Sequence, residues 1–171
     1  MTSSRPVDEV KFIADHNVGK LAKLLRMFGY DTLFFTAKDD NEMVRIAFKE
    51  SRVILTRDTQ IMKRRLVCDG DLKALFIAEN NSKEQLLQVL RALHLNRFKP
   101  FSLCLECNQP LIPRSREEVK SLVPIRVLNN YNHYMECPSC HRIYWQGTHW
   151  QAMTEKLEDF KRRVVMAEFE S

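Results

Sequence analysis

Glycine and proline are scarce, at four and six among 171 residues. A chain so poor in both excludes collagen-like and low-complexity architectures and argues against disorder as its main state. No apolar run approaches the ~20 residues that cross a bilayer, and the opening Met-Thr-Ser-Ser-Arg-Pro has none of the regions of a secretory signal. Membrane and export classes are set aside, and the expectation is an intracellular, cytoplasmic protein without a membrane partner. Hydrophobic residues make up 44%, enough to fill a real core, and the length suits one domain with a small appendage. Lys and Arg number 27 against 22 Asp and Glu, a net +5 that permits a polyanionic partner without requiring one.

Cysteine is also limited, but it is grouped. Cys68 stands alone, while Cys104, Cys107, Cys137 and Cys140 form two Cys-x-x-Cys pairs. In a chain without export signals this favours a metal over disulfides. Two thiolates on each of two tight turns complete a tetrahedral Zn²⁺ site with no open position, hence a structural one. Its role is to fold a module too small for its own core. His133, His141 and His149 then read as surface or neighbouring histidines, and Cys68 as a plain buried or half-buried thiol.

Period changes in the apolar pattern predict alternating strands and helices. Strands are expected at 11–15, 30–35, 52–56 and 73–78. Helices are expected at 18–28 (stopped by Gly29), 40–50, 59–65 and from about Ser82, where Ser82 and Gln85 fit a capping box. Strands joined by single helices imply right-handed crossovers and an α/β fold with a mostly parallel sheet. The α/β domain is placed at 11–97 and the zinc-ribbon module at 103–147. A helix at 148–171, capped by Thr148 and Gln151, carries the stripe Met153, Leu157, Phe160 and Val164 and packs on the ribbon or the core.

Function in parallel sheets gathers at the carboxyl ends of the strands. Asp15 and Asp58 fall just past two such ends, and Asp40 joins them if its helix begins there. Three carboxylates together call for a neutralising cation, and hard oxygen ligands suit Mg²⁺ or Mn²⁺. Such a site can activate water and stabilise charge on a phosphodiester. Each acid also has a plainer reading: Asp40 and Asp58 as helix caps, Asp15 as a turn closed with Asn17. Lys20, Lys23 and Arg26 are expected to project opposite the apolar stripe of their helix, Arg57 to lie at the pocket edge, and Lys63, Arg64 and Arg65 to follow Asp58 as phosphate-facing cations.

Phe-Ile-Ala-Asp-His-Asn (12–17), Leu-Leu-Arg-Met-Phe-Gly-Tyr-Asp (24–31), Asp40 and Ile-Leu-Thr-Arg-Asp (54–58) resemble PIN-like ribonuclease domains. With the cysteine motifs and Arg-Ile-Tyr-Trp-Gln-Gly-Thr-His (142–149), the chain is similar over about 11–160 to the Mut-seven C-terminal RNase domain family. The resemblance implies a three-layer α/β/α nuclease domain fused to a zinc ribbon. It also implies divalent-metal-dependent cleavage of RNA, single-stranded or unstructured, alone or within a larger RNA-processing assembly. Asp15, Asp40 and Asp58 match the acidic positions, and Asn17, Arg26, Thr56 and Arg57 match neighbouring ones. Asp39, Glu42, Asp69 and Asp71 are candidates for a further carboxylate. The rival from another class is a non-catalytic RNA-binding adaptor, in which Tyr144, Trp145 and Trp150 stack on bases. For Trp145 the preferred reading is packing between the ribbon and the terminal helix. A phospho-acceptor receiver domain, suggested by Lys-Pro-Phe at 99–101, lacks the acid pair after its first strand and a strand before its lysine.

Overall fold

A computed structural model describes residues 9–169, apart from the side chains of His149, Met153, Ala167 and Glu168. The opening hexapeptide and the last two residues of the expected terminal helix lie outside this range, as does the Met153 side chain. The chain divides into two compact units: residues up to Arg26 with Tyr30–Leu95, and Met27–Gly29 with Asn96 onward.

The first unit is built on four parallel strands, β1 (Lys11–Ala14), β2 (Thr32–Phe34), β3 (Arg52–Thr56) and β4 (Ala74–Phe76), in the order β2-β1-β3-β4. Its helices are α1 (Gly19–Met27), α2 (Asp40–Glu50), the single turns α3 (Thr59–Met62) and α4 (Arg65–Cys68), and α5 (Ser82–Ala92). Strand order reverses direction after β2, because the chain steps outward from β1 and then crosses back to β3. Right-handed crossovers running in opposite directions put their helices on opposite faces, and the reversal leaves a switch point between the carboxyl ends of β1 and β3. The two-residue strand period matches this burial. Ile13 and Ile54, paired in register, pack with Met43, Val44 and Ala47 of α2 and with Ile61 and Leu72. Phe12, Ala14, Val53 and Leu55 are buried on the other face.

Local chemistry explains the departures from the sequence expectations. The predicted basic helix at 59–65 is two turns, broken where Arg64 takes an extended ψ of 139°. Asn81, not Ser82, caps α5 by accepting from Lys83 N, and Gln85 is buried with its amide on Glu79 O, so no capping box forms. With so little glycine, left-handed backbone falls to other residues. Ser51 closes α2 at φ 54° and donates to the carbonyls of Ala47 and Phe48. Cys68 is exposed rather than buried.

At the amino edge of the sheet Arg52 is only 7% exposed. Its guanidinium donates to Asp31 Oδ1 at 2.7 Å, Glu50 Oε2 at 2.6 Å and the Phe12 carbonyl at 3.1 Å, joining the entries to β1, β2 and β3. Burial works against its charge, but the bonds to Asp31 and Glu50 outweigh burial and raise its pKa. The carboxylate ends are water-screened, so most of the cost of losing this fork lies in the orphaned Phe12 carbonyl and the lost planar geometry. Arg52→Lys is expected to lower unfolding free energy by about 1–3 kcal/mol, read as a lower urea midpoint at unchanged slope.

In the second unit, β5 (Ile112–Arg114), β6 (Tyr134–Glu136) and β7 (Ile143–Trp145) form an antiparallel sheet in that order. Two helical turns, α6 (Arg116–Val119) and α7 (Ile125–Asn130), are inserted between β5 and β6. This insertion and Tyr134 of β6 form a small core of Val119, Val123, Val127, Leu128 and Tyr134, and Trp145 packs on it. That helix, α8 (Thr148–Phe169), buries Leu157, Phe160 and Val164 as its periodicity requires. Phe160 meets Phe28 edge-on with centroids 5.7 Å apart, and Trp150 meets Phe101 at 4.5 Å. Gly29 is fixed twice over: its φ is +91°, and a Cβ there would lie 2.4 Å from the Lys99 carbonyl oxygen.

Candidate active site and metal centre

The carboxyl edge of the parallel sheet gathers the acidic residues. Asp15 follows β1 directly and is 3% exposed, its N–H donating to Leu55 O. Its Oδ1 accepts from His16 N at 2.7 Å and meets His16 Nδ1 at 2.7 Å. Its Oδ2 accepts from Thr56 Oγ1 at 2.7 Å and Asn17 Nδ2 at 3.3 Å. Thr56 is fully buried, and the same hydroxyl oxygen accepts from Asp58 N at 2.9 Å. One hydroxyl, using its single proton and a lone pair, therefore joins the acid after β1 to the turn carrying the acid after β3. Asn17 makes a second link, its Oδ1 accepting from Arg57 N at 3.3 Å.

Asp58 caps α3 through Oδ1, which accepts from Gln60 N at 2.7 Å; Oδ2 has no hydrogen bond among the described residues. Asp40 is different. The capping work at α2 falls to Asp39, whose carboxylate accepts from Asn41 N and Glu42 N, leaving Asp40 as the first helical residue. Its carboxylate has no hydrogen-bond partner among the described residues, at a helix end whose dipole favours negative charge. Asp39 is thus engaged, and Asp69 is paired with Arg65.

The cations divide. Arg26 is 6% exposed, with Nε donating to Thr32 O at 2.9 Å. This corrects its expected place on the solvent face. An antiparallel crossover helix ends at the amino edge, so Arg26 lies at the edge opposite Asp15. Arg57 is held by the loop before α5, donating to the Glu79 carbonyl and, at 2.8 Å, to Asn80 Oδ1. Arg64 reaches the start of α2 through Asn41 Oδ1 at 2.6 Å, beside Asp40, and Lys63 is exposed. The Asn41–Arg64 and Asn80–Arg57 contacts were not readable from spacing. The asparagines preceding or opening a helix were the only signal.

Among the described residues, one group of three or more ligand atoms is close enough to hold a single ion, and it is the four cysteines, with all sulfurs within 4.8 Å of one another. The carboxylates of Asp15, Asp40 and Asp58 do not form such a group, so the expected close trio is not seen at this edge. Cys104 Sγ and Cys140 Sγ are 3.8 Å apart. A tetrahedron with metal–sulfur bonds of about 2.3 Å has edges of about 3.8 Å. The turns have matching backbones, since Asn108 and His141, each directly after the second cysteine of its pair, adopt φ of 61° and 60°. Burial would raise the Cys104 thiol, but hydrogen bonds from Tyr144 and from backbone N–H groups outweigh it and bring it down to about 7. Neighbouring thiols, Cys140 first, push Cys107 up to about 12. One thiolate forms readily, and the full set needs a cation. Beside it Glu136 joins His141 Nδ1 at 2.9 Å to Arg114 Nε at 2.6 Å, and these bonds hold its carboxyl below the usual range.

A parallel α/β domain with acids at its switch point is joined in one chain to a module whose four cysteines are placed to bind a metal ion. The family model of the Mut7-C RNAse domain matches residues 10–157, and the chain belongs to that family. Membership points to a ribonuclease-like function. No curated protein and no solved structure matches the chain. No helix among the described residues is long and apolar enough to cross a membrane.

Among the described residues Leu111 is the only buried aliphatic around the thiols, with Met135 and Tyr144 half-buried beside it. Leu111 is worth about 2 kcal/mol, against roughly 1–2 kcal/mol for each residue ordered. A bound metal would supply the difference. Chelation, or Cys104→Ser, is therefore expected to raise amide exchange across 103–111 and 137–142 by orders of magnitude. The α6–α7 core, which lacks a ligand, should keep more protection. Uniform protection in metal-free protein would contradict this.

Proposed function

We propose that the chain is a metal-dependent ribonuclease, with Asp15, Asp40 and Asp58 holding Mg²⁺ or Mn²⁺ and Cys104, Cys107, Cys137 and Cys140 holding a structural Zn²⁺. The observation that carries the reading is the Thr56 hydroxyl, which fixes Asp15 relative to Asp58 at the switch point while Asp40 and one oxygen of Asp58 are left open. The donor set fits a hard dication. Mg²⁺ keeps several of its waters, so carboxylates that do not meet at a point can hold it in part through those waters. The His16 ring, 65% exposed, is the displaceable partner of Asp15.

A bound dication supplies an acidified water and charge stabilisation at the phosphodiester. The chain's own groups position the reactants. Thr56 and Asn17 hold the Asp15 carboxylate, and Arg57, anchored on Glu79 and Asn80, lies beside Asp58. Lys63 and Arg64 offer cations to the RNA backbone on the Asp58 and Asp40 sides. RNA is the substrate that family membership implies. The adaptor reading is less well supported, because Tyr144 is committed to Cys104 at 3.2 Å and to Leu105 N, and Trp150 to Phe101.

Asp15→Asn and Asp58→Asn are each expected to reduce cleavage of an unstructured RNA in Mn²⁺ by at least about 10²-fold, with zinc content and binding retained. Rates within tenfold of the parent in both variants would refute the assignment.

A further inference from the structure

Large apolar side chains are exposed at eight described positions, and Phe34 is the one on the carboxyl edge of the parallel sheet. It ends β2, 40% exposed, in register with Ala14, the residue directly before Asp15. One strand spacing, about 4.8 Å, and one residue therefore separate its backbone from the acid. Its ring is not loose. A Cβ on Gly19 would lie 2.8 Å from Phe34 Cζ and 3.1 Å from Cε2, so the first residue of α1 is bare where the ring rests. Gly19 has ordinary helical angles, φ −61° and ψ −35°, and needs no glycine for its backbone. Alanine is favoured over glycine in such a helix, so the missing side chain is explained by the ring above it. In sequence Gly19 lies between exposed Asn17 and Lys20.

We infer that Phe34, seated on Gly19, is a stacking platform for a nucleobase next to the scissile phosphate. This rests on the ribonuclease reading for its substrate. An exposed aromatic face one residue from a phosphate-directed site is an arrangement that binds single-stranded nucleic acid without reading its sequence. The platform selects unpaired RNA, since a base held in a duplex cannot offer its face.

The test is equilibrium binding of an unstructured RNA with 2-aminopurine at successive positions, using the full chain in an Asp58→Asn background so that binding is separated from cleavage. Phe34→Leu keeps apolar cover over Gly19 but has no π-face. It is expected to weaken binding about 5- to 100-fold, the span carried by one base–aromatic stack, and to abolish quenching at one position. Phe34→Tyr should restore both. Gly19→Ala, which lifts the ring while suiting the helix, should weaken binding similarly and add nothing to Phe34→Leu. Unchanged affinity in Phe34→Leu overturns the platform even if the Asp58-intact chain cleaves RNA. Position-specific quenching in a chain that never cleaves supports the platform and removes the hydrolase reading alone. A loss that Phe34→Tyr does not recover, or that is equally large with an abasic strand, marks a structural or protein-facing residue and also overturns it.

Discussion

The pairing of β1 with β3 is the constraint on which the site depends. Ala14 opposite Leu55 brings two strand ends together although they lie about forty residues apart in sequence. The backbone continues this pairing one step beyond β1, where Asp15 N donates to Leu55 O. Thr56 then closes the gap with a side chain, binding the Asp15 carboxylate and the Asp58 backbone through one oxygen. A slip of one residue would turn Thr56 to the opposite face and break both bonds. Buried Ile13 and Ile54 on one face, and Phe12 and Val53 on the other, make that slip costly. The hydrophobic register of the sheet thereby sets the polar geometry at its edge.

The second unit solves a different problem. Its sheet has three short strands and too little apolar surface around the knuckles, and it is held from two sides. On one side a four-thiol cluster has the dimensions of a tetrahedral metal site. On the other, Val119, Val123, Val127 and Leu128 of the α6–α7 insertion pack with Tyr134 of β6 and with Ile143 and Trp145 of β7. Glu136 links these parts through Arg114 and His141, which accounts for a charged residue left 9% exposed inside a strand.

Much of this was readable in the sequence, unevenly. Lys11–Ala14, Arg52–Thr56 and Asp40–Glu50 announce themselves because burial on one or both faces leaves a clear apolar period. The Cys-x-x-Cys pairs are as plain, because ligand spacing is set by the tight turn itself. What spacing could not supply was side-chain direction. Periodicity placed Arg26 on the solvent face, and the Thr32 carbonyl at the amino edge accounts for its turning inward. Asp39 and Asp40 are adjacent acids at one helix start, and sequence alone does not say which caps and which stays free. Ser82 looked like a cap because Gln85 follows it by three, yet Asn81 takes the role while Gln85 serves the Glu79 loop. Local capping rules are nearly degenerate at such sites, and tertiary hydrogen bonds choose between them.

The central claim is that the carboxyl edge of the parallel sheet binds a hard dication independently of the thiols. Titration of the zinc-loaded chain with Mn²⁺, followed by electron paramagnetic resonance, tests it most directly. The account predicts a bound Mn²⁺ that Asp15→Asn weakens by at least about tenfold, or about 1.4 kcal/mol, with zinc content unchanged. Equal Mn²⁺ binding by the parent and Asp15→Asn chains, or binding that disappears only when the cysteines are changed, would contradict it.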